Sequence, residues 1–286
     1  MILITGAGGN VGKEVLQQIS QTGARGRAAF QSPGKAAPSG VEVVTMDYNQ
    51  PDTLKAALKG VDRVFLVGPP TAELPALERK AMDVMKHSDV SHVVKLSAMG
   101  GREAIFPGQH AQSEEHIQSL NVPYTFLRPN GFMQNLVNYS AATINTQNAF
   151  YGSEGDGRIS QIDVRDVAAV AVKVLTEDGH TGKAYTLTGP EALTNSEVAG
   201  ILSNALGREI RFINLPPGQL RQALLSAGVP EWSADALLDL QRLYREGKAA
   251  TVTQDVKNVL GRDPIPFSQF CRDCRHVLDR REQAAS

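Results

Sequence analysis

Three glycines at regular spacing stand at the start of the chain. Thr5-Gly6-Ala7-Gly8-Gly9-Asn10-Val11-Gly12 places Gly6, Gly9 and Gly12 between a short aliphatic run, Ile2–Thr5, and an amphipathic stretch, Asn10–Gln21. A strand–turn–helix of this kind needs glycine because the turn is tight, a diphosphate approaches the backbone, and the helix must pack close to the strand. The helix start then offers unpaired N–H groups and a partial positive charge to phosphate. Gly6, Gly9, Asn10, Val11 and Gly12 are therefore candidate pyrophosphate ligands. In a chain with 26 Gly the spacing alone is a weak signal; a strand before it and a helix after it make it a strong one.

The identity of such a dinucleotide is read further along, where an NAD site places an Asp or Glu about 20 residues on to accept from the ribose 2′-hydroxyl. Here the second strand-like run ends at Phe30-Gln31-Ser32-Pro33-Gly34-Lys35, without an acid. Gln31, Ser32 and the Lys35 ammonium suit a 2′-phosphate, which a carboxylate would repel. NADPH is the expected cofactor and NADH the weaker alternative. The plain reading of the same residues is a solvated loop.

The elements that must position these groups follow from periodicity. Strands are expected at Ile2–Thr5, Arg27–Gln31, Val41–Met46, Arg63–Val67, His92–Ser97 and Tyr124–Leu127, with helices at Asn10–Gln21, Pro51–Leu58 (capped by Asn49), Glu73–His87 and Gln109–Leu120. Runs such as Val64-Phe65-Leu66-Val67 are apolar on both faces, as strands between two helical layers must be. The expected fold class is α/β, a doubly wound parallel sheet of the Rossmann type. After Tyr151 the rhythm changes to a strand near Arg158–Ile162, a helix from Asp166 to Leu175, a strand at Ala184–Thr188 and mostly helix beyond. Residues 1–150 are thus read as an NADP(H)-binding domain, its sheet completed within 158–190, and 191–286 as a smaller, mostly helical part covering the substrate.

Composition narrows the function classes. With 29 basic against 30 acidic side chains and a formal net charge of −1, the chain has no basic field for nucleic acid or for an anionic membrane surface. No run approaches the roughly 18 apolar residues of a spanning helix, and Met1–Ile4 is too short for a signal peptide, so the expected address is the cytoplasm. Cys271 and Cys274, even with His276, fall short of zinc's usual four ligands; incidental thiols on a C-terminal helix are expected, and no metal.

Ligands of an open α/β sheet sit outside the carboxyl ends of the strands. Those ends carry Asp47-Tyr48, Gly68-Pro69-Pro70, Ser97-Ala98-Met99 and Arg128-Pro129-Asn130. Asp47 is expected near adenine, Gly68 and Pro69 along the cofactor, and Ser97 and Asn130 near the nicotinamide; strand-end caps and turn formers are the structural alternative. The glycine turn, Asp47-Tyr48, Leu96-Ser97-Ala98, the block Tyr124–Met133 and Ile162-Asp163-Val164-Arg165-Asp166-Val167-Ala168 together resemble the NmrA-like atypical short-chain dehydrogenase/reductases, over essentially the whole chain. Within that family the chain is most similar to the NAD(P)H-dependent reductases of quinones, triphenylmethane dyes and azo dyes.

The resemblance also exposes a departure. Ordinary short-chain dehydrogenases carry Tyr-x-x-x-Lys on the helix after the Ser strand; here Phe106 stands at the Tyr position and His110 at the Lys position. Phenylalanine cannot donate a proton, so carbonyl-to-alcohol chemistry has lost its acid. A hydride can still pass to an acceptor that holds the charge by delocalisation, as a quinone, an azo dye in its hydrazone form or a cationic dye does, given proximity and a dry apolar slot. Phe132, Met133, Trp232 and Tyr244 are the candidates for that slot. His110 has two readings: a group that holds the nicotinamide ribose or passes a proton, oriented by Glu114 one turn on, and a surface His–Glu pair of small value. Asp166, opening its helix, is expected as an N-cap. The expected function is flavin-free, NADPH-dependent reduction of an electron-poor aromatic acceptor, with His110 and Ser97 as catalytic candidates. The alternative is a non-catalytic NADP(H)-binding redox sensor acting through a protein partner.

Overall fold

The computed structural model describes residues 1–279. Its strands are β1 (Ile2–Ile4), β2 (Gly26–Phe30), β3 (Glu42–Thr45), β4 (Arg63–Leu66), β5 (His92–Leu96), β6 (Tyr124–Pro129), β7 (Ala149–Gly152), β8 (Ala184–Leu187) and β9 (Arg211–Asn214). The helices are α1 (Asn10–Ile19), α2 (Pro51–Leu58), α3 (Leu74–Met85), α4 (Ile105–Ser119), α5 (Gln134–Gln147) and α6 (Val164–Thr176). Six more follow: α7 (Asn195–Leu206), α8 (Pro217–Ser226), α9 (Glu231–Arg245), α10 (Asp255–Leu260), α11 (Phe267–Asp273) and α12 (Arg275–Leu278). None of the helices among the described residues is long and apolar enough to cross a membrane.

Seven strands form one parallel sheet in the order β3-β2-β1-β4-β5-β6-β8. Strand side chains alternate between faces, so Leu3, Val64, Val93 and Phe126 pack under α2, α3 and α4, while Ile4, Phe65, Val94 and Leu127 pack under α1 and α6. The doubly wound sheet anticipated from the apolar runs is the one observed. Lys95 falls on the α3/α4 side, in the middle of a strand buried at every position, and it matters below.

Several expectations fail locally. The segment 158–162 makes only isolated bridges, Ile159 with Leu193 and Ile162 with Phe132. Its Ser160 hydroxyl instead donates to the Thr251 carbonyl at 2.7 Å, tying the segment to a crossing chain rather than to a ladder. Strand pairing also occurs where helix was expected: β9 runs parallel to β7 in a separate two-stranded sheet. Asn49 does not cap α2; its side-chain oxygen accepts from Lys80 Nζ at 2.7 Å. The chain does not divide at a single point, since Ile144 of α5 and Phe150 of β7 share a core with α7, Phe267 and Phe270, whereas Val256 and Val259 of α10 return to the main core. Asp163, not Asp166, caps α6, accepting from the Arg165 amide at 2.9 Å. Asp166 anchors the C-terminal segment through the Ile265 amide at 2.7 Å and Arg262 at 2.7 Å.

Candidate active site

The strand order reverses at β1 and β4, and outside their carboxyl ends lies a cleft of about 1190 Å³ including its open mouth. One end is floored by the glycine turn. Thr5 holds it in place, its hydroxyl bonding the Phe65 carbonyl at 3.1 Å and receiving the Val67 amide at 2.7 Å. A Cβ on Gly12 would stand 2.2 Å from the Gly6 carbonyl oxygen, so α1 can meet the turn this closely only through glycine. The N-cap of α1 is Gly9, with no side-chain cap. The first amide bonded into the helix is that of Lys13, onto the Gly9 carbonyl at 3.0 Å. The amides of Asn10, Val11 and Gly12, which line the cleft, have no carbonyl partner among the described residues. A bare helix start with no acid in its first turn fits a diphosphate.

The other end is an apolar slot formed by Phe106, Pro107, Phe132, Leu240, Leu243 and Tyr244. The Tyr244 hydroxyl bonds no protein group among the described residues, and burial followed by the Glu154 carboxylate pushes its phenol up from the usual tyrosine range. Asn130 lines the slot but is committed: its amide donates to Ser160 Oγ and to the Ala249 carbonyl, both at 2.9 Å.

Between turn and slot lies a charged network that sequence reasoning missed. The wholly buried Lys95 ammonium donates to Glu78 Oε1 at 2.7 Å, to the Leu96 carbonyl at 2.6 Å and to His110 Nδ1 at 3.0 Å. Its three donors are thereby satisfied. Glu78 Oε1 also accepts the Gly68 amide at 2.9 Å, and a Cβ on Gly68 would stand 2.8 Å from that oxygen. Gly68 is thus required by Glu78, a reason other than the cofactor contact expected of it. Burial first, and then the Lys95 ammonium, hold the His110 imidazole well below the usual histidine range. Phe106 stacks edge-on against that ring, centroids 4.7 Å apart.

The expected His110–Glu114 contact is not made. Glu114 instead receives Ser97 Oγ at 2.5 Å and the Arg128 guanidinium at 2.9 and 2.5 Å, so the Ser97 proton is directed away from the cleft that the residue lines. Of the other candidates, Met133 is buried in the core shared by α5, α7 and α11, outside the slot. Trp232 stands in the first turn of α9, eight residues before Leu240 and hence about 12 Å along the axis, and does not line the cleft. Asp47 is occupied within its own turn, Oδ1 accepting the Asn49 amide at 2.8 Å, and the Pro69 carbonyl accepts from Thr71 at 2.8 Å. Gln31, Ser32 and Lys35 are exposed just beyond β2, and Lys35 makes no ion pair among the described residues. Cys271 is buried in the core, where desolvation pushes its thiol up to about 12, away from thiolate chemistry.

A sequence model of NAD(P)H-binding proteins matches residues 6–178, from the glycine turn through α6. The chain belongs to this NAD(P)H-binding family. Among curated relatives, an NAD(P)H azoreductase of Xenophilus azovorans is 35% identical over 95% of this chain and 97% of its own length. A (4-alkanoyl-5-oxo-2,5-dihydrofuran-3-yl)methyl phosphate reductase of Streptomyces griseus is 38% identical over 94% and 96%. Among solved structures, the NADPH complex of the quinone oxidoreductase QOR2 from Escherichia coli superposes with a TM-score of 0.87 at 26% identity, covering 96% of this chain and 99% of its own.

Proposed function

We propose that this protein is an NADPH-dependent reductase that works without flavin and reduces electron-poor aromatic acceptors such as quinones and azo or triphenylmethane dyes. The observation that carries this reading is the apolar slot adjoining the dinucleotide turn, with Phe106 where an alcohol-forming reductase of this class needs an acid. The bound nicotinamide supplies the hydride. The chain's part is then to hold a flat acceptor between Phe132, Leu243 and Tyr244 and to exclude water around it. Gln31, Ser32 and Lys35 receive the 2′-phosphate in this reading, and the amides of Asn10, Val11 and Gly12 the diphosphate. The named relatives agree in chemistry: an azoreductase, a quinone oxidoreductase and a reductase of a dihydrofuranone bearing an alkanoyl group all act on conjugated, electron-poor acceptors.

The test is purified protein mixed with NADPH and a panel of quinones, azo dyes and triphenylmethane dyes, without added flavin, followed at the nicotinamide absorbance. Oxidation above background with at least one conjugated acceptor is expected. Rapid reduction of simple ketones with none of the panel contradicts the reading, as does binding of NADPH with no turnover at all.

A further inference from the structure

Lys95 can only donate, so the His110 Nδ1 that faces it at 3.0 Å is an acceptor, and the proton of the neutral ring sits on Nε2. The Nδ1 edge points into the protein interior; the ring lines the cleft, and no protein group among the described residues bonds to Nε2. A buried ammonium and a pocket-facing N–H are thus joined through one imidazole. Glu78 and the Leu96 carbonyl hold the ammonium in place from its other side.

We propose that Lys95 and His110 form a tautomeric proton relay that serves acceptors whose reduction leaves charge on an oxygen or nitrogen, quinones foremost, with His110 as the catalytic donor and Lys95 as its positioning residue and proton source. This rests on the reductase reading above. A quinone that gains a hydride becomes a quinol anion. As His110 Nε2 gives its proton to that oxygen, Nδ1 takes one from Lys95. The ring ends neutral as the opposite tautomer, Lys95 ends as an amine, and the quinol leaves neutral. Water entering the vacated slot passes a proton from bulk solvent to Nε2 while Nδ1–H returns its own to Lys95, so each turnover takes up one proton from solution. Neither imidazolium nor imidazolate is formed. A ring held neutral by burial beside a cation is poorly suited to act alone as an acid, and the relay removes that need. The arrangement also distinguishes acceptors: a cationic triphenylmethane dye that gains a hydride is already neutral and takes no proton.

Two measurements test this. Ring ¹⁵N spectra of His110 in the wild-type protein at neutral pH, with no coenzyme or acceptor added, should show the neutral Nε2–H tautomer; an Nδ1–H tautomer or a doubly protonated ring overturns the relay. Turnover of a quinone and of a triphenylmethane dye is then compared in His110→Phe and in the charge-matched pair Lys95→Met/Glu78→Gln, which leaves no lone buried ion. Quinone kcat should fall by about 10², at least tenfold more than dye kcat, with KM for the quinone much less affected. Equal losses on both acceptors, or no selective loss, overturn the proposal. A wild-type protein that reduces neither acceptor instead overturns the reductase reading, and the tautomer is still read independently.

Discussion

Removing the Lys95 side chain's charge is the sharpest perturbation of the buried network. Lys95→Met leaves the Glu78 carboxylate, which is 1% exposed, with the Gly68 amide as its remaining partner among the described residues, since its second oxygen has none there. An uncompensated buried charge of this kind costs about 3–5 kcal/mol. Against a typical total of about 5–15 kcal/mol, that is a large share of the stability. Glu78→Gln alone strands the ammonium and costs a similar amount. The double variant removes both charges and retains a carbonyl acceptor for the Gly68 amide. Its residual loss is the unmet Leu96 carbonyl and His110 Nδ1, about 1–3 kcal/mol. The singles are therefore strongly non-additive, with a coupling of about 3 kcal/mol or more. Urea unfolding of the four proteins, extrapolated to water, measures this. A loss below about 1 kcal/mol in Lys95→Met, or single losses that simply add in the double variant, refutes the reasoning.

Three further outcomes follow from the same geometry. His110 is held below the ordinary histidine value of about 6.5, so the unfolded chain binds the extra proton first; its stabilising contribution is complete above that pH and is lost as pH falls through the folded value. Stability should therefore fall as pH drops from 7 through 6 to 5, and His110→Phe should flatten that dependence in urea unfolding at the three pH values; an unchanged slope in the variant removes His110 from it. Lys35→Glu should weaken NADPH binding by roughly tenfold or more and NADH binding far less, measured by calorimetry; an equal effect on both removes Lys35 from the 2′-phosphate. Gly68→Ala brings a Cβ to 2.8 Å from Glu78 Oε1 and should displace that carboxylate, costing about 2–4 kcal/mol in the same unfolding assay, whereas a change under 0.5 kcal/mol would show that Glu78 yields freely.

The parts of the fold legible in the sequence are those whose causes are local. A glycine turn between an aliphatic run and an amphipathic stretch specifies its own strand–turn–helix, and runs apolar on both faces specify interior parallel strands. The parts that were not legible depend on distant partners. Lys95 meets Glu78 from 17 residues away on a neighbouring helix, and spacing alone gives no sign of the pair. A signal was nevertheless present: a lysine between Val94 and Leu96, inside a strand buried on both faces, must find a counter-charge. Glu114 lies one turn from His110, which suggests a pair, but Arg128 in β6 and Ser97 just past the end of β5 hold the carboxylate instead. Asp166 resembles an N-cap because helix boundaries read from sequence shift by about two to four residues, and Asp163, three residues earlier, takes the position. Trp232 has the aromatic ring such a slot would use, yet stands too far along α9 to reach it.

The central claim, that the turn at Gly6–Gly12 seats a pyridine dinucleotide, is tested most directly by titration calorimetry of NADPH and NADH into the purified protein and into Gly12→Val. Saturable binding at one site per chain, tighter for NADPH and abolished in a Gly12→Val protein that still unfolds cooperatively, is the expected result. The absence of heat with either coenzyme, or undiminished binding in the variant, contradicts it.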